Sequence, residues 1–312
     1  MKEKILITGG AGYIGSVLTP FLLSKKYEVT VIDNFLFNQN SLLDVAVNQN
    51  LTVYDSNVNN QTLLKKLISK NDIIIPLAAI VGAPACDKNK KLAKEINLDQ
   101  LKFINKNLSK KQKIIFPVSN SGYGVGKKNI FCDEKSPLNP ISLYGKLKVE
   151  AEKILLDRGN CITFRLATVF GSSPRMRIDL LVNDFVHRAV KDGFIVLFEP
   201  HFKRNYIHVR DVANAFTHGL SNFDSMKNQI FNVGDTNANL SKKELCIKIK
   251  KYVNKLTIIE SEFAEDPDKR DYIVSNTKLE KTGWKRKYSL DYGIKELINL
   301  YSWMKTTNTR NY

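Results

Sequence analysis

A chain of 312 residues with 43% hydrophobic and 25% charged side chains can bury a substantial core without disulfide or metal staples. Its four cysteines, Cys86, Cys132, Cys161 and Cys246, are widely spaced and form no C-x-x-C pair, which argues against a zinc site or a redox motif and suits reduced thiols in a cytosolic protein. The formal charge of +17 invites a polyanionic partner, but the lysine clusters are scattered among helix ends and loops without interleaved aromatics, so no nucleic-acid partner is expected.

Met1-Lys2-Glu3-Lys4 runs at once into Ile5-Leu6-Ile7, too short for a signal peptide, and no later stretch reaches transmembrane length; a soluble, cytoplasmic protein with no membrane partner is expected. Strands are predicted over Lys4 to Thr8, Glu28 to Ile32, Leu51 to Tyr54, Asp72 to Leu77, Lys113 to Val118 and Cys161 to Leu166. Several are apolar on consecutive positions, as in parallel strands covered on both faces. Helical spacing appears between the first two strands (Ile14, Val17, Leu18, Phe21, Leu22) and near 60–70, 91–107 and 141–157. Pro20 falls inside the first helix, where it should weaken a turn. The alternation predicts an α/β fold with a doubly wound parallel sheet.

After about residue 170 the rhythm becomes irregular, with strands near Tyr206 to Val209 and Ile230 to Val233, helices after Asp211 and Ser241, and a capping box in Ser241-Lys242-Lys243-Glu244. The expected division is a dinucleotide-binding domain over about 1–171 plus about 205–234, and a smaller α+β substrate-binding lobe over about 172–204 and about 235–312.

Thr8-Gly9-Gly10-Ala11-Gly12-Tyr13-Ile14-Gly15 follows a strand and opens a helix, the context in which G-x-G-x-x-G cradles a diphosphate on the helix N-terminus. Asp33 closes the second strand 18 residues after Gly15, near the spacing at which an acid takes the adenosine ribose hydroxyls. A carboxylate there repels a 2′-phosphate, so NAD is expected rather than NADP, and no metal. A capping Asp after a tight turn is the alternative reading.

Tyr144-Gly145-Lys146-Leu147-Lys148 puts a phenol and an ammonium on one helix face. A neighbouring cation favours tyrosinate, so Lys148 is expected to lower the Tyr144 pKa toward a proton-abstracting range. Tyr123/Lys127 and Tyr301/Lys305 share the spacing, but the first lies in a glycine-broken run and the second far from the cofactor motif.

With these residues in place, the chain resembles the extended short-chain dehydrogenase/reductase family, in its nucleotide-sugar epimerase and dehydratase branch. The likeness rests on TGGAGYIG, SNSGYG, YGKLK, FRLATVFG, RNYIHVRDVA and KTGW. It implies Tyr144 as general base, Lys148 on the nicotinamide ribose and Ser119 on the reacting hydroxyl. It further implies NAD contacts from Gly9, Gly12, Tyr13, Ile14, Gly15, Asp33, Asn34, Asn57, Val58, Leu77, Ala78 and Ala79, with Asn97 supporting the site. A nucleotide-sugar would meet Ser119, Ser121, Arg175, Asn183, Arg204 and Arg270, with Val196 and Phe198 at its base. For Arg204 and Arg270 a surface ion pair is the alternative, and for Val196 and Phe198 core packing. The resemblance also implies a homodimer.

Departures narrow the reaction. Dehydratases of the family carry Asp-Glu after the catalytic Thr; here these positions are Asn120 and Ser121, so oxidation at C4 without loss of water is expected. Asn57 stands where an adenine-contacting Asp is usual, and Thr168 where an Asn is. The runs PLAAIVGAPAC, SNSGYG and RMRIDLLVNDF look similar to bacterial GDP-manno-heptose 4-dehydrogenases of capsule and surface-polysaccharide synthesis. A nucleotide-sugar 4-epimerase acting on a UDP- or GDP-sugar is the alternative. A non-catalytic NAD-sensing protein would keep the glycine loop and lose the Tyr/Lys pair; both are present.

Overall fold

The structure is a computed structural model describing residues 3–261, 270–306 and 309–311. The runs Ile5-Leu6-Ile7 and Ile73-Ile74-Ile75 leave no hydrophilic face, so their strands have to be covered on both sides, and all six side chains are buried. The first half of the chain runs β1 (Lys4–Thr8), α1 (Gly15–Ser24), β2 (Glu28–Asp33), β3 (Leu51–Asp55), α2 (Gln61–Ile68), β4 (Ile73–Pro76), α3 (Ala83–Lys88), α4 (Lys90–Lys94), α5 (Gln100–Asn107), β5 (Lys113–Ser119), β6 (Phe131–Cys132), α6 (Leu143–Arg158) and β7 (Cys161–Leu166). It continues with β8 (Thr168–Phe170), α7 (Leu181–Lys191), β9 (Phe194–Leu197), β10 (Lys203–His208), α8 (Val209–Ser221), α9 (Phe223–Met226), β11 (Gln229–Val233), β12 (Asn239–Ser241), α10 (Lys242–Lys250), β13 (Thr257–Glu260), β14 (Ile273–Val274), α11 (Thr277–Glu280) and α12 (Leu290–Trp303).

Seven strands pair in parallel in the order β11-β7-β5-β4-β1-β2-β3, the doubly wound sheet predicted. The winding reverses between β1 and β4, so a crevice opens beyond their carboxyl ends, where such sheets bind ligands. One face is covered by α1 and α8 through Val17, Leu18, Leu22, Val212 and Phe216. The other is covered by α2, α5 and α6 through Leu64, Leu67, Leu101, Ile104, Leu147 and Leu155. A third cluster, including Val182, Val186, Ile195, Tyr206, Leu245, Ile249 and Leu297, gathers α7, β9, β10, α10 and α12 into a smaller lobe. Its short sheets are β12-β10-β8 and β13-β9, with β14-β6 beside them. Thus β10 pairs with β8 on one side and β12 on the other, while from the same stretch of chain β11 joins the main sheet and α8 packs on it.

Three elements differ from their predicted form. The strand expected near Tyr206 to Val209 starts at Lys203 and stops at His208, whose ring accepts the Arg210 amide at 3.2 Å and caps α8. The helix expected after Asp211 therefore begins at Val209. The 91–107 segment is divided into α4, one π turn over Glu95–Asp99 and α5. Pro20 does not end α1, which continues to Ser24 because its Val17, Leu18 and Leu22 are packed in the core. Ser241 and Glu244 form the predicted capping box. Among the described residues no helix is long and apolar enough to cross a membrane, and no group of three or more His, Cys, Asp or Glu stands where it can hold a metal ion.

Candidate active site

Between β1 and α1 the backbone has to approach other backbone closely. Gly9 adopts φ +73°, and a Cβ there would lie 2.5 Å from the Ala78 nitrogen; a Cβ on Gly15 would lie 2.4 Å from the Gly9 oxygen. Glycine alone meets these demands, and the result draws β1, β4 and the start of α1 round one end of a cavity of about 730 Å³. Gly12, Tyr13, Ile14 and Gly15 line that end, where the first amides of α1 and the helix dipole favour a diphosphate.

Asp33 closes β2 at the same rim. Its carboxylate accepts the Ala11 and Phe35 amides, each at 2.9 Å. Burial raises the carboxyl's pKa, and these bonds oppose the rise. Asn34, Asn57, Val58, Leu77, Ala78 and Ala79 line the same wall. Asn97, buried on the π turn, acts from behind: its amide accepts the Ile80 N–H and donates to the Ile80 carbonyl, both at 2.9 Å, fixing the chain that leaves β4. A cradle too tight for any side chain, amides for a diphosphate and a carboxylate for ribose hydroxyls together fit a dinucleotide.

Tyr144 and Lys148 sit in the first turns of α6, which Ser142 caps by accepting the Gly145 amide at 3.2 Å. With Ser119, from the end of β5, they line the same cavity. The Ser119 oxygen accepts the Ser121 amide at 3.1 Å, leaving the hydroxyl proton for a ligand. Lys148, 4% exposed, donates to the Pro117 carbonyl at 3.0 Å and lies 4.3 Å from the centre of the Phe116 ring. Burial pulls its pKa down to about 7, against the nearby Cys86.

The expectation that Lys148 lowers the Tyr144 phenol fails. Burial, and after it Cys86, push that phenol up to about 12, and the cations that oppose the rise are Arg177 and Arg270. The reason is geometric: the Lys148 ammonium is turned toward Pro117, and its own desolvation weakens its charge near neutrality.

Arg204, on β10 and 3% exposed, donates to the Lys203 carbonyl at 2.9 Å and faces the Tyr272 ring. With Arg270, Arg175 and Ser119, three more of the eight residues expected to meet a nucleotide-sugar, it stands on the cavity wall. The other four residues of that set do not line the cavity. Asn183 is buried on α7 and braces three elements, accepting the Gly171 amide at 3.0 Å and donating to the Arg177 carbonyl at 2.8 Å and the Tyr13 hydroxyl at 3.3 Å. Ser121 is buried, with no partner for its hydroxyl. Val196 points outward because β9 alternates, with Ile195 and Leu197 inside, and Phe198 follows that strand, its carbonyl taken by Lys242.

Arg177, Asp179, Arg188, Arg310 and Asn311 line the cavity unforeseen. The first two lie within RMRIDLLVNDF, where the alternation of charge was readable; the last two follow α12, and no local pattern marks them. In all, eight basic side chains and three carboxylates are on the described wall, a balance suited to a ligand with several negative charges.

The sequence pattern of the NAD dependent epimerase/dehydratase family matches residues 5–234. The chain belongs to that family. It is therefore an enzyme whose cofactor is NAD. Among similar proteins, the CDP-paratose 2-epimerase of Salmonella typhi is 26% identical over 345 residues, spanning 96% of this chain and 98% of that one. The UDP-glucose 4-epimerase of Lactobacillus helveticus is 25% identical over 315 residues, spanning 91% and 92%. The crystal structure of UDP-glucose 4-epimerase from Thermotoga maritima with UDP-glucose has the same fold, with a TM-score of 0.82 at 24% identity over 96% of this chain and 98% of that one.

Proposed function

We propose that this epimerase/dehydratase family member oxidises C4 of a nucleotide-sugar, with GDP-manno-heptose as substrate and its 4-keto form as product, for bacterial surface-polysaccharide synthesis. The observation that carries the C4 chemistry is that Ser119, Tyr144 and Lys148 line one cavity with Arg204 and Arg270 also on its wall. The heptose assignment is supported by the runs PLAAIVGAPAC, SNSGYG and RMRIDLLVNDF.

Bound in the glycine cradle, NAD supplies the hydride acceptor. Arg204 and Arg270 grip the diphosphate as bidentate donors and set the sugar against Tyr144. Ser119 donates to the C4 oxygen while the Tyr144 phenolate takes its proton. Arg177 and Arg270 lower the energy of that phenolate, and Lys148 adds to this when an anion beside it restores its charge. Asn120 and Ser121 offer no acid and base to eliminate water, so the sugar keeps its oxygens.

If the keto sugar is reduced on its other face before it leaves, the enzyme is a 4-epimerase of a UDP- or GDP-sugar; the epimerases of L. helveticus and T. maritima favour this second reading. Either reaction suits a cytoplasmic homodimer pairing through α6 and the helical run bearing Asn97.

The test is incubation with NAD and GDP-, UDP- and dTDP-sugars, GDP-manno-heptose included, following NADH absorbance and product structure by NMR. A 4-keto product with stoichiometric NADH from the GDP-heptose alone establishes the proposal. Exchange of C4 epimers without net NADH makes the enzyme an epimerase, and no turnover across the panel refutes both readings.

A further inference from the structure

Four arginines of this protein, Arg165, Arg175, Arg177 and Arg204, are almost wholly buried, and the first and third of them are closed by a carboxylate. Arg165 meets Glu152 at 2.7 Å, and Arg177 pairs with Asp179. Arg175, 3% exposed, makes direct contact only with neutral groups among the described residues: the Met176 carbonyl at 3.3 Å, the Asn311 side-chain oxygen at 2.6 Å and the Phe37 ring, whose centre is 3.7 Å from the guanidinium carbon. A buried cation with no carboxylate in contact is costly for a fold to keep. Burial, and then Arg177, push its pKa down to about 10, and Asp179 and Asp33 only partly oppose the fall. The side chain lines the cavity, so an anionic ligand can supply the direct contact that these carboxylates do not make.

Its surroundings fix which end of the cavity that ligand occupies. The Arg175 amide donates to the Ser16 hydroxyl at 3.3 Å, in the first turn of α1. Ser173 donates to the Tyr13 carbonyl at 2.7 Å. The Met176 amide donates to the Gln39 side chain at 3.0 Å, and Asp33 is near enough to act on Arg175 electrostatically. All four neighbours belong to the glycine loop and its helix or to β2 and the loop that follows it.

We propose that Arg175 is a cofactor-retention residue: it supplies the positive charge that the diphosphate of NAD meets at the start of α1, and Asn311, from beyond α12, holds it there. This replaces the substrate contact expected from the sequence. It rests on NAD as cofactor and is independent of which sugar is oxidised.

The test compares wild-type protein with Arg175→Met by titration with ADP-ribose, adenosine and UDP, and by thermal unfolding with and without NAD. ADP-ribose affinity should fall about 10- to 100-fold, the loss of a charge-assisted contact, with adenosine and UDP affinities unchanged. The melting temperature without ligand should hold or rise, because a buried charge with no carboxylate in contact has been removed, while the increment produced by NAD shrinks. Asn311→Ala should give the same pattern at smaller amplitude. Unchanged ADP-ribose affinity overturns the proposal, as does an equal loss for adenosine, which has no phosphate. A loss confined to UDP returns Arg175 to the substrate, and a lower melting temperature without ligand makes it a structural residue; each overturns it too.

Discussion

Tyr144 lacks the lowered phenol that its spacing promised, and this shapes how the enzyme should respond to pH. With the free phenol pushed up to about 12, the phenolate is the minor form near neutrality, and its fraction grows as pH rises. We expect kcat/KM to climb from about pH 7 to about pH 9 without a plateau. A profile flat across that range would place the base elsewhere. Tyr144→Phe should lower kcat about 10³-fold or more while the affinities for NAD and nucleotide-sugar, measured by calorimetry, stay within about twofold. That Gly9, Gly15, Asp33, Tyr144 and Lys148 belong together was legible in the sequence, and they line one cavity, because each was marked by a pattern a few residues long. The direction of the Lys148 ammonium was not, because it is set by Pro117, 31 residues away. Asn183, Ser121 and Val196 were misplaced for the same reason: which way a side chain points follows from the strand or helix packed against it.

At the scale of elements, α6 carries Tyr144 and Lys148, the pair proposed to act on the sugar, and is tied to the sheet beneath it by one buried cluster. Glu152 accepts bonds from Arg165, on β7, and from Thr163, while Arg165 also reaches the Tyr123 hydroxyl at 3.2 Å. Glu152→Gln would leave the guanidinium buried without its counter-charge. A loss of about 3–5 kcal/mol in urea unfolding is expected, and a smaller one when Arg165→Met is added. A second tie joins α12 to the chain after β8. Glu296 accepts the Ser172 amide and the His208 ring, each at 2.9 Å, and pairs with Arg210.

Burial opposes the charge on Glu296, but His208, Ser172 and Arg210 prevail and hold the carboxyl down to about 2, against 4.5 unfolded. Because the folded value is the lower one, the stabilisation, about 3 kcal/mol, is complete above about pH 4.5 and fades as pH falls toward about 2. Glu296→Gln should therefore flatten the acid limb of the stability curve; an unaltered limb would show that Glu296 does not govern it. The strands of the main sheet were readable from apolar runs because their two buried faces leave no ambiguity. The start of α8 was not, since its cap is a histidine. Nor was the π turn at Asn97, which no residue pattern announces.

Taken whole, the molecule keeps all four thiols inside, and burial raises the pKa of each. A thiol reagent added to the native enzyme should label none of them within the time that labels all four in denaturant; rapid labelling of Cys86, beside Tyr144, would reveal an opening of the cavity. The path of the chain has a further consequence. From β7 it enters the smaller lobe at β8, comes back through α8, completes the main sheet with β11 and departs again at β12. A cut after β7 would strip that strand of its neighbour β11 and uncover the side of α1 on which α8 rests. The smaller lobe, proposed to read the sugar, is therefore not a cassette that recombination can exchange at a single crossover. Lineages built on this plan must acquire new substrates by point substitution along the cavity wall, and a chimera meant to trade specificities needs both returns of the chain replaced together.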